Sequence, residues 1–221
     1  MSALSAREAY RLWAPDYERE TAMSALEAVT VDALGIETAG RALLDVGCGT
    51  GRRLRSSDAE CAIGIDLSLE MLQRAADAPL VAAGDLRALP VASNAFDVVW
   101  CRLAIGHVRD LETAYGELAR VCRSGGCVIV SDLSPEAAAA GHRRTFHDAE
   151  GATHEVEHFV HSVSAHVVAA TRAGLTLTAR RDGRCEPSVR HFYADAGRLH
   201  AYDEQLGSSI VLVLALRKVI G

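Results

Sequence analysis

Five short apolar runs, each closed by glycine, aspartate or cysteine, constrain this chain more than any other feature: RALLDVG (41–47), CAIGID (61–66), LVAAGD (80–85), AFDVVWC (95–101) and GCVIVSDL (126–133). Continuously apolar runs of strand length are strands buried on both faces. Helix-compatible segments lie between them, with Ser68 as N-cap before LEMLQRAA and Asp110 as N-cap before LETAYGELARVC. Strands alternating with helices predict a parallel sheet covered on both sides, an α/β fold in three layers. A chain of 221 residues, 49% of them apolar, is enough for one such domain (1–221) with an additional segment.

The flanks break the alternation. Two helices are predicted first, Ser5–Trp13 and roughly Tyr17–Leu34, the second ending near Gly35. After Leu133 almost thirty residues pass before VSAHVVAATRAGL resumes as a helix. A structureless loop of that length is disfavoured, so Pro135–Gly141 is predicted as a short helix and His154–Val160 as a strand or extended arm. Two late strands, LTLTARRD (175–182) and SIVLVLALR (209–217), predict an antiparallel closure of the sheet.

Composition narrows the function. The formal net charge of -6 speaks against a nucleic-acid partner, which would call for a basic face. The first residues hold no apolar run of secretory length, and the longest apolar run, Ile210–Leu216, is too short to span a bilayer. A cytoplasmic protein without membrane contact is expected, with Cys48, Cys61, Cys101, Cys122, Cys127 and Cys185 as reduced thiols.

Within this frame LLDVGCGTG (43–51) is the most informative segment. Gly47, Gly49 and Gly51 follow a buried strand directly, allowing a tight turn and letting a ligand lie against bare backbone. Their spacing is Gly-x-Gly-x-Gly, whereas a dinucleotide fingerprint is Gly-x-Gly-x-x-Gly. Asp45, before the glycines, would repel a pyrophosphate and suits a ligand carrying an ammonium group. Asp66 follows Gly47 by nineteen residues at the tip of the second strand, where an acid accepts from both hydroxyls of a ribose. Asp85, ending the third strand, is placed to accept from an exocyclic amine such as that of adenine. An NAD-type oxidoreductase, the competing assignment, requires the longer glycine spacing and gives Asp85 no task.

With YRLWAPDYE, GIDLSLEML, GDLRALPVASNAFDVVWC, LAIGHVRD and ELARVCRSGGCVIVSDL in order around that segment, from about Tyr10 to Leu133, the chain resembles the class I S-adenosylmethionine-dependent methyltransferases. Within them it is most similar to the type 11 group of ubiquinone/menaquinone-pathway and malonyl-carrier-protein enzymes. The resemblance implies a Rossmann-like, seven-stranded, mostly parallel sheet in the order 3-2-1-4-5-7-6 with the last strand antiparallel. It places the amino acid moiety of S-adenosylmethionine over Gly47, Cys48 and Gly49 near Asp45, and the ribose on Asp66. Adenine would lie between Leu67 or Met71 and Leu86, beside Asp85. Methyl transfer is an in-line displacement that yields S-adenosylhomocysteine, and it needs a base only if the acceptor arrives protonated.

The acceptor should meet the methyl group outside the end of strand four, around Cys101, Arg102 and His107, under an N-terminal helical lid (1–37). Tyr10 and Tyr17 are similar to the family's paired-tyrosine arm; they are lid residues or part of an amphipathic helix packed on the core. His107 is a base or a structural residue of the helix start. No Asn-Pro-Pro-Tyr or Asp-Pro-Pro-Tyr follows strand four, which favours a small-molecule acceptor. A cofactor-binding protein without turnover, acting in regulation or as a scaffold, is the alternative, and a monomer and a homodimer are both compatible with the sequence.

The remaining feature is HDAEGATHEVEHFVH (147–161); His142–His166 holds six of the nine histidines. This segment lies in the 134–161 insert, where the family builds its acceptor pocket. In an extended chain His154, Val156, His158 and Val160 share one face; a helix would align His154, His158 and His161. A metal site, solvent-facing side chains, and a pocket lining in which His142 or His158 accepts a proton are the three readings. Methyl transfer requires no metal, and none is assigned.

Overall fold

The computed structural model describes residues 3–75 and 80–220. Helix α1 (Ala6–Trp13) starts under a Ser5–Glu8 capping box. Where one helix is predicted from Tyr17, Pro15 instead opens a 3-10 turn (Ala14–Asp16), and α2 (Ala22–Asp32) restarts five residues later under a Thr21–Ser24 capping box. Then follow β1 (Ala42–Val46), α3 (Arg52–Arg55), β2 (Cys61–Asp66), α4 (Leu69–Leu72), β3 (Val81–Ala83), β4 (Phe96–Arg102), α5 (Leu111–Val121) and β5 (Cys122–Leu133). Ser68 and Asp110 cap α4 and α5 as predicted; Ala76, at the end of the helix predicted from Leu69, lies outside the described residues.

The segment after β5 forms α6 (Pro135–Ala139) and a hairpin of β6 (Thr145–His147) and β7 (Thr153–Glu155), followed by α7 (Val163–Arg172). The chain closes with β8 (Leu175–Arg184), α8 (Arg190–Asp195), α9 (Leu199–Gln205) and β9 (Ser209–Lys218). The seven-stranded sheet runs β3-β2-β1-β4-β5-β9-β8, which is the expected order once the β6–β7 hairpin is set apart. Strands β1 to β5 pair in parallel, and β9 runs antiparallel to β5 and β8.

Apolar side chains fill both faces. Val99, Val128, Tyr115, Leu118 and Ala170 pack on the α5–α7 side; Leu26, Val31, Trp100, Ile129, Val213 and Tyr202 pack under α2, α8 and α9. A small third cluster of Ala9, Phe146 and Val156 joins α1 to the hairpin. Backbone bonds reinforce it: Leu4 N–H donates to Glu155 C=O at 2.8 Å, and Glu157 N–H donates to Leu4 C=O at 2.7 Å. Among the described residues no helix is long and apolar enough to cross a membrane.

Candidate active site

The floor is the turn after β1. Gly47 and Gly49 take φ of +77° and +58°, where L side chains are strained. A Cβ on Gly47 would lie 2.4 Å from the Ala104 Cβ, and one on Gly49 would lie 3.1 Å from Met71 Cε and 3.3 Å from Tyr17 Cε1. The Asp66 carboxylate holds this turn to β2, accepting from Gly49 N–H at 2.7 Å and Ser68 N–H at 2.8 Å; burial raises its pKa despite both bonds. Leu67 beside it is 48% exposed, leaving an apolar surface next to the acid.

Asp45 is fully buried, and neither carboxylate oxygen has a partner. Burial pushes its pKa up to about 6, against the pull of Arg53 and Arg102. A buried acid without a hydrogen bond is costly, so a cationic ligand group over Gly47 would relieve it. Cys48 and Cys101 are buried thiols whose pKa burial raises, so they pack rather than react. Asp85 is bound to Arg87 at 2.5 Å, and that bond holds its carboxyl below the usual range. Leu86 is half-buried beside it.

An aromatic roof covers the floor. Tyr10 stacks on Trp13 at 5.8 Å, Trp13 stacks on Phe146 at 5.0 Å, and Tyr17 meets Trp13 edge-on at 5.1 Å. The Tyr10 hydroxyl donates to His107 Nε2 at 2.9 Å, and His107 Nδ1 donates to Glu157 C=O at 3.0 Å. Both nitrogens are thereby engaged, and burial with the nearby Arg144 charge pushes the His107 pKa down to about 3. Arg144, itself buried, donates to the Tyr10 hydroxyl at 3.2 Å and to Leu103 C=O at 2.9 Å.

The histidines of the insert scatter among different partners. His158 Nε2 donates to Asp132 Oδ1 at 2.7 Å, with side chains 6% and 2% exposed, and its Nδ1 is buried without a partner. Burial alone would raise the Asp132 carboxyl; the bond and charge of His158, with Arg144, bring it below the usual range. A Cβ on Gly106 would lie 2.1 Å from His158 Nε2, so this packing requires glycine there. His154 bonds Asp148 at 2.6 Å, His161 Nε2 donates to Val108 C=O at 2.9 Å, and His166 bonds the Tyr115 hydroxyl at 2.9 Å. His142 is half-buried, and burial lowers its pKa. Among the described residues no three His, Cys, Asp or Glu side chains are grouped to hold a metal ion.

Arg102 turns to the α2 face. It forks onto the fully buried Glu27 through two bonds of 2.8 Å, joined by Ser131 Oγ at 2.7 Å and Arg53 at 3.3 Å. Glu27, Arg53, Ser131, Asp132 and Arg144 were not singled out from the sequence. Two carried a signal: Glu27 is the one charge in SALEAVTV, and Asp132 stands near the end of an apolar strand run, as Asp45 and Asp66 do.

Comparison with known proteins adds relatives to this geometry. The methyltransferase domain family matches residues 44–130. A malonyl-[acyl-carrier protein] O-methyltransferase of Dechloromonas aromatica is 31% identical over 193 residues, covering 84% of this chain and 70% of the relative. One of Salmonella typhimurium is 37% identical over 131 residues, 54% of this chain and 50% of the relative, so the chain spans about half of that protein's length. The crystal structure of an S-adenosylmethionine-dependent methyltransferase from Mesorhizobium loti superposes with a TM-score of 0.68 at 22% identity, over 89% of this chain and 100% of that one.

Proposed function

The chain belongs to the class I S-adenosylmethionine-dependent methyltransferases of type 11, and we propose that it methylates a small-molecule acceptor held between the N-terminal arm and the 134–161 segment. The observation that carries this reading is Asp45, a buried carboxylate with two unpartnered oxygens beneath a glycine turn that leaves no room for side chains. Such a floor fits a ligand that is cationic at one end and a nucleoside at the other. Asp45 would take the ammonium group and Asp66 the ribose; Leu67, Met71 and Leu86 would flank the adenine, with Asp85 turning from Arg87 to its amine.

When bound, S-adenosylmethionine supplies an electrophilic methyl group on a sulfonium. The protein's part is alignment and exclusion of water, for which Tyr10, Trp13 and Tyr17 form the lid. His107 ties lid to insert through both ring nitrogens and is assigned no proton transfer. Arg102 supports the floor through Glu27, and His142, half-buried in the insert, is kept as a candidate lining residue of the acceptor pocket. The cytoplasm is the proposed location. The relatives' names specify a malonyl group on an acyl-carrier protein, so a carrier-borne acyl group is the second acceptor class, favoured by the 31% identity over most of the chain.

Two measurements test the reading. Calorimetric titration should show binding of S-adenosylmethionine and its demethylated product, and label from isotopic methyl should appear in a product formed in cell extract. Binding without any labelled product would favour the non-catalytic alternative, and absence of binding would sink the cofactor assignment.

A further inference from the structure

We propose that His158, oriented by Asp132, is the catalytic base of this methyl transfer, and that the acceptor's reacting atom is a protonated oxygen, an enol or phenol hydroxyl, rather than a carboxylate. The proposal rests on the methyltransferase reading and departs from what the names of the malonyl relatives would suggest.

Position comes first. Asp132 lies near the carboxyl end of β5, next to the end of β4, from which Ala104 reaches the Gly47 turn. In an open parallel sheet, ligands sit outside these strand ends. His158 packs against Gly106, two residues beyond Ala104, and edge-on to the His107 ring at 5.9 Å. It is therefore on the acceptor side of the cofactor floor.

Protonation state comes second. An ionised Asp132 can only accept, so the neutral His158 ring carries its hydrogen on Nε2 and leaves the lone pair on Nδ1. That Nδ1 is buried with no protein partner, and a buried acceptor left without a hydrogen bond is costly. A donor hydrogen from a ligand would satisfy it. The two other buried histidines do not share this arrangement. His107 uses both nitrogens, and His166, which also has one free nitrogen, sits in the α5–α7 core bonded to the Tyr115 hydroxyl rather than to a carboxylate.

Chemistry selects the acceptor. A carboxylic acid is already ionised at neutral pH and gains nothing from a base, and the Asp132 carboxylate behind His158 would repel it. A hydroxyl is a weak nucleophile until its proton leaves. As the oxygen–carbon bond to the methyl group forms, the sulfur–carbon bond breaks with its pair remaining on sulfur. The hydroxyl proton passes to His158 Nδ1, and the resulting imidazolium is stabilised by Asp132 before releasing the proton to water.

The test uses the full chain with S-adenosylhomocysteine bound and para-nitrophenol as probe, in buffer acidic enough to keep the free phenol neutral. Appearance of the phenolate absorption band on binding, lost in His158→Gln, is the expected result. Turnover of a panel of phenols and enolisable diketones should fall roughly 10²-fold or more in kcat in His158→Gln, with little change in cofactor affinity. Asp132→Asn should likewise weaken the phenolate band and lower kcat with little change in KM, since it keeps the ring but removes the carboxylate that orients it. Turnover of a malonyl thioester alone, no binding of any hydroxyl probe, or unchanged kcat in His158→Gln would overturn the proposal. Failure to bind S-adenosylhomocysteine would overturn the methyltransferase reading as well, which separates the two.

Discussion

Asp45 sets the pH behaviour expected of the ligand-free protein. Its pKa rises from 3.8 to about 6 on folding, so the native state holds that proton more tightly than the unfolded chain. Its contribution to stability is then complete below the unfolded value and is lost as pH rises through about 6, an effect on the order of 3 kcal/mol. Asp45→Asn should remove this slope, leaving the variant more stable than wild type at pH 7 and equal to it near pH 4, as urea titrations at the two pH values would show. Cofactor binding should respond oppositely. Wild-type affinity should strengthen as pH rises through 6, and Asp45→Asn should bind roughly tenfold or more weakly, both read by calorimetry. Asp45 and Asp66 were legible in the sequence because each stands at or next to the end of an apolar strand run, which fixes where the carboxylate goes. The pairing of Glu27 was not: its partner Arg102 lies 75 residues away, and no local pattern joins the two.

The N-terminal arm and the insert are two stretches remote in sequence that the structure sews together. Leu4 bridges to Val156, Ala9 packs on Phe146, and Tyr10 reaches both His107 and Arg144. Tyr10→Phe deletes the hydroxyl that receives from Arg144 and donates to His107, leaving two buried polar groups short of a partner at roughly 1–3 kcal/mol. Hydrogen exchange should therefore accelerate together in residues 4–13 and 144–158 in this variant, while the amides of β1 and β4 stay protected; acceleration in the arm alone would show that the two move independently. The short helix after Pro135 and the late antiparallel pair were readable from caps and apolar runs. The histidine faces were less so. Strand β7 ends at Glu155, and beyond it Phe159 N–H bonds Gly106 C=O, so the alternation that would place His154 and His158 together does not persist. His154 goes to Asp148 and His158 to Asp132.

Across the molecule, the parallel sheet covered on both faces followed from the alternation of apolar runs and helices, and its strand order from the resemblance to the methyltransferase family. The ionic network at its centre did not, because burying Glu27 between Arg53 and Arg102 depends on α2, α3, β4 and β5 meeting. Burial works against the Glu27 charge, yet Arg53 and Arg102 hold its pKa down to about 2, so it stays ionised throughout the native range. Glu27→Ala leaves two buried guanidinium groups uncompensated and should cost about 3–5 kcal/mol in urea unfolding. Arg102→Ala should be costly too, and the double variant should lose less than the sum of the singles, since removing both partners removes the stranded charge. The network also lies close enough to Asp45 for Arg53, Arg102 and Glu27 all to act on it. Without Glu27 the two arginines pull harder on Asp45, lowering its pKa and competing for its charge. Glu27→Gln should therefore weaken cofactor binding several-fold and move its pH midpoint below 6, although Glu27 belongs to the far side of the floor. An unchanged midpoint in calorimetry would mean that Asp45 is insulated from the network and responds to its own burial alone.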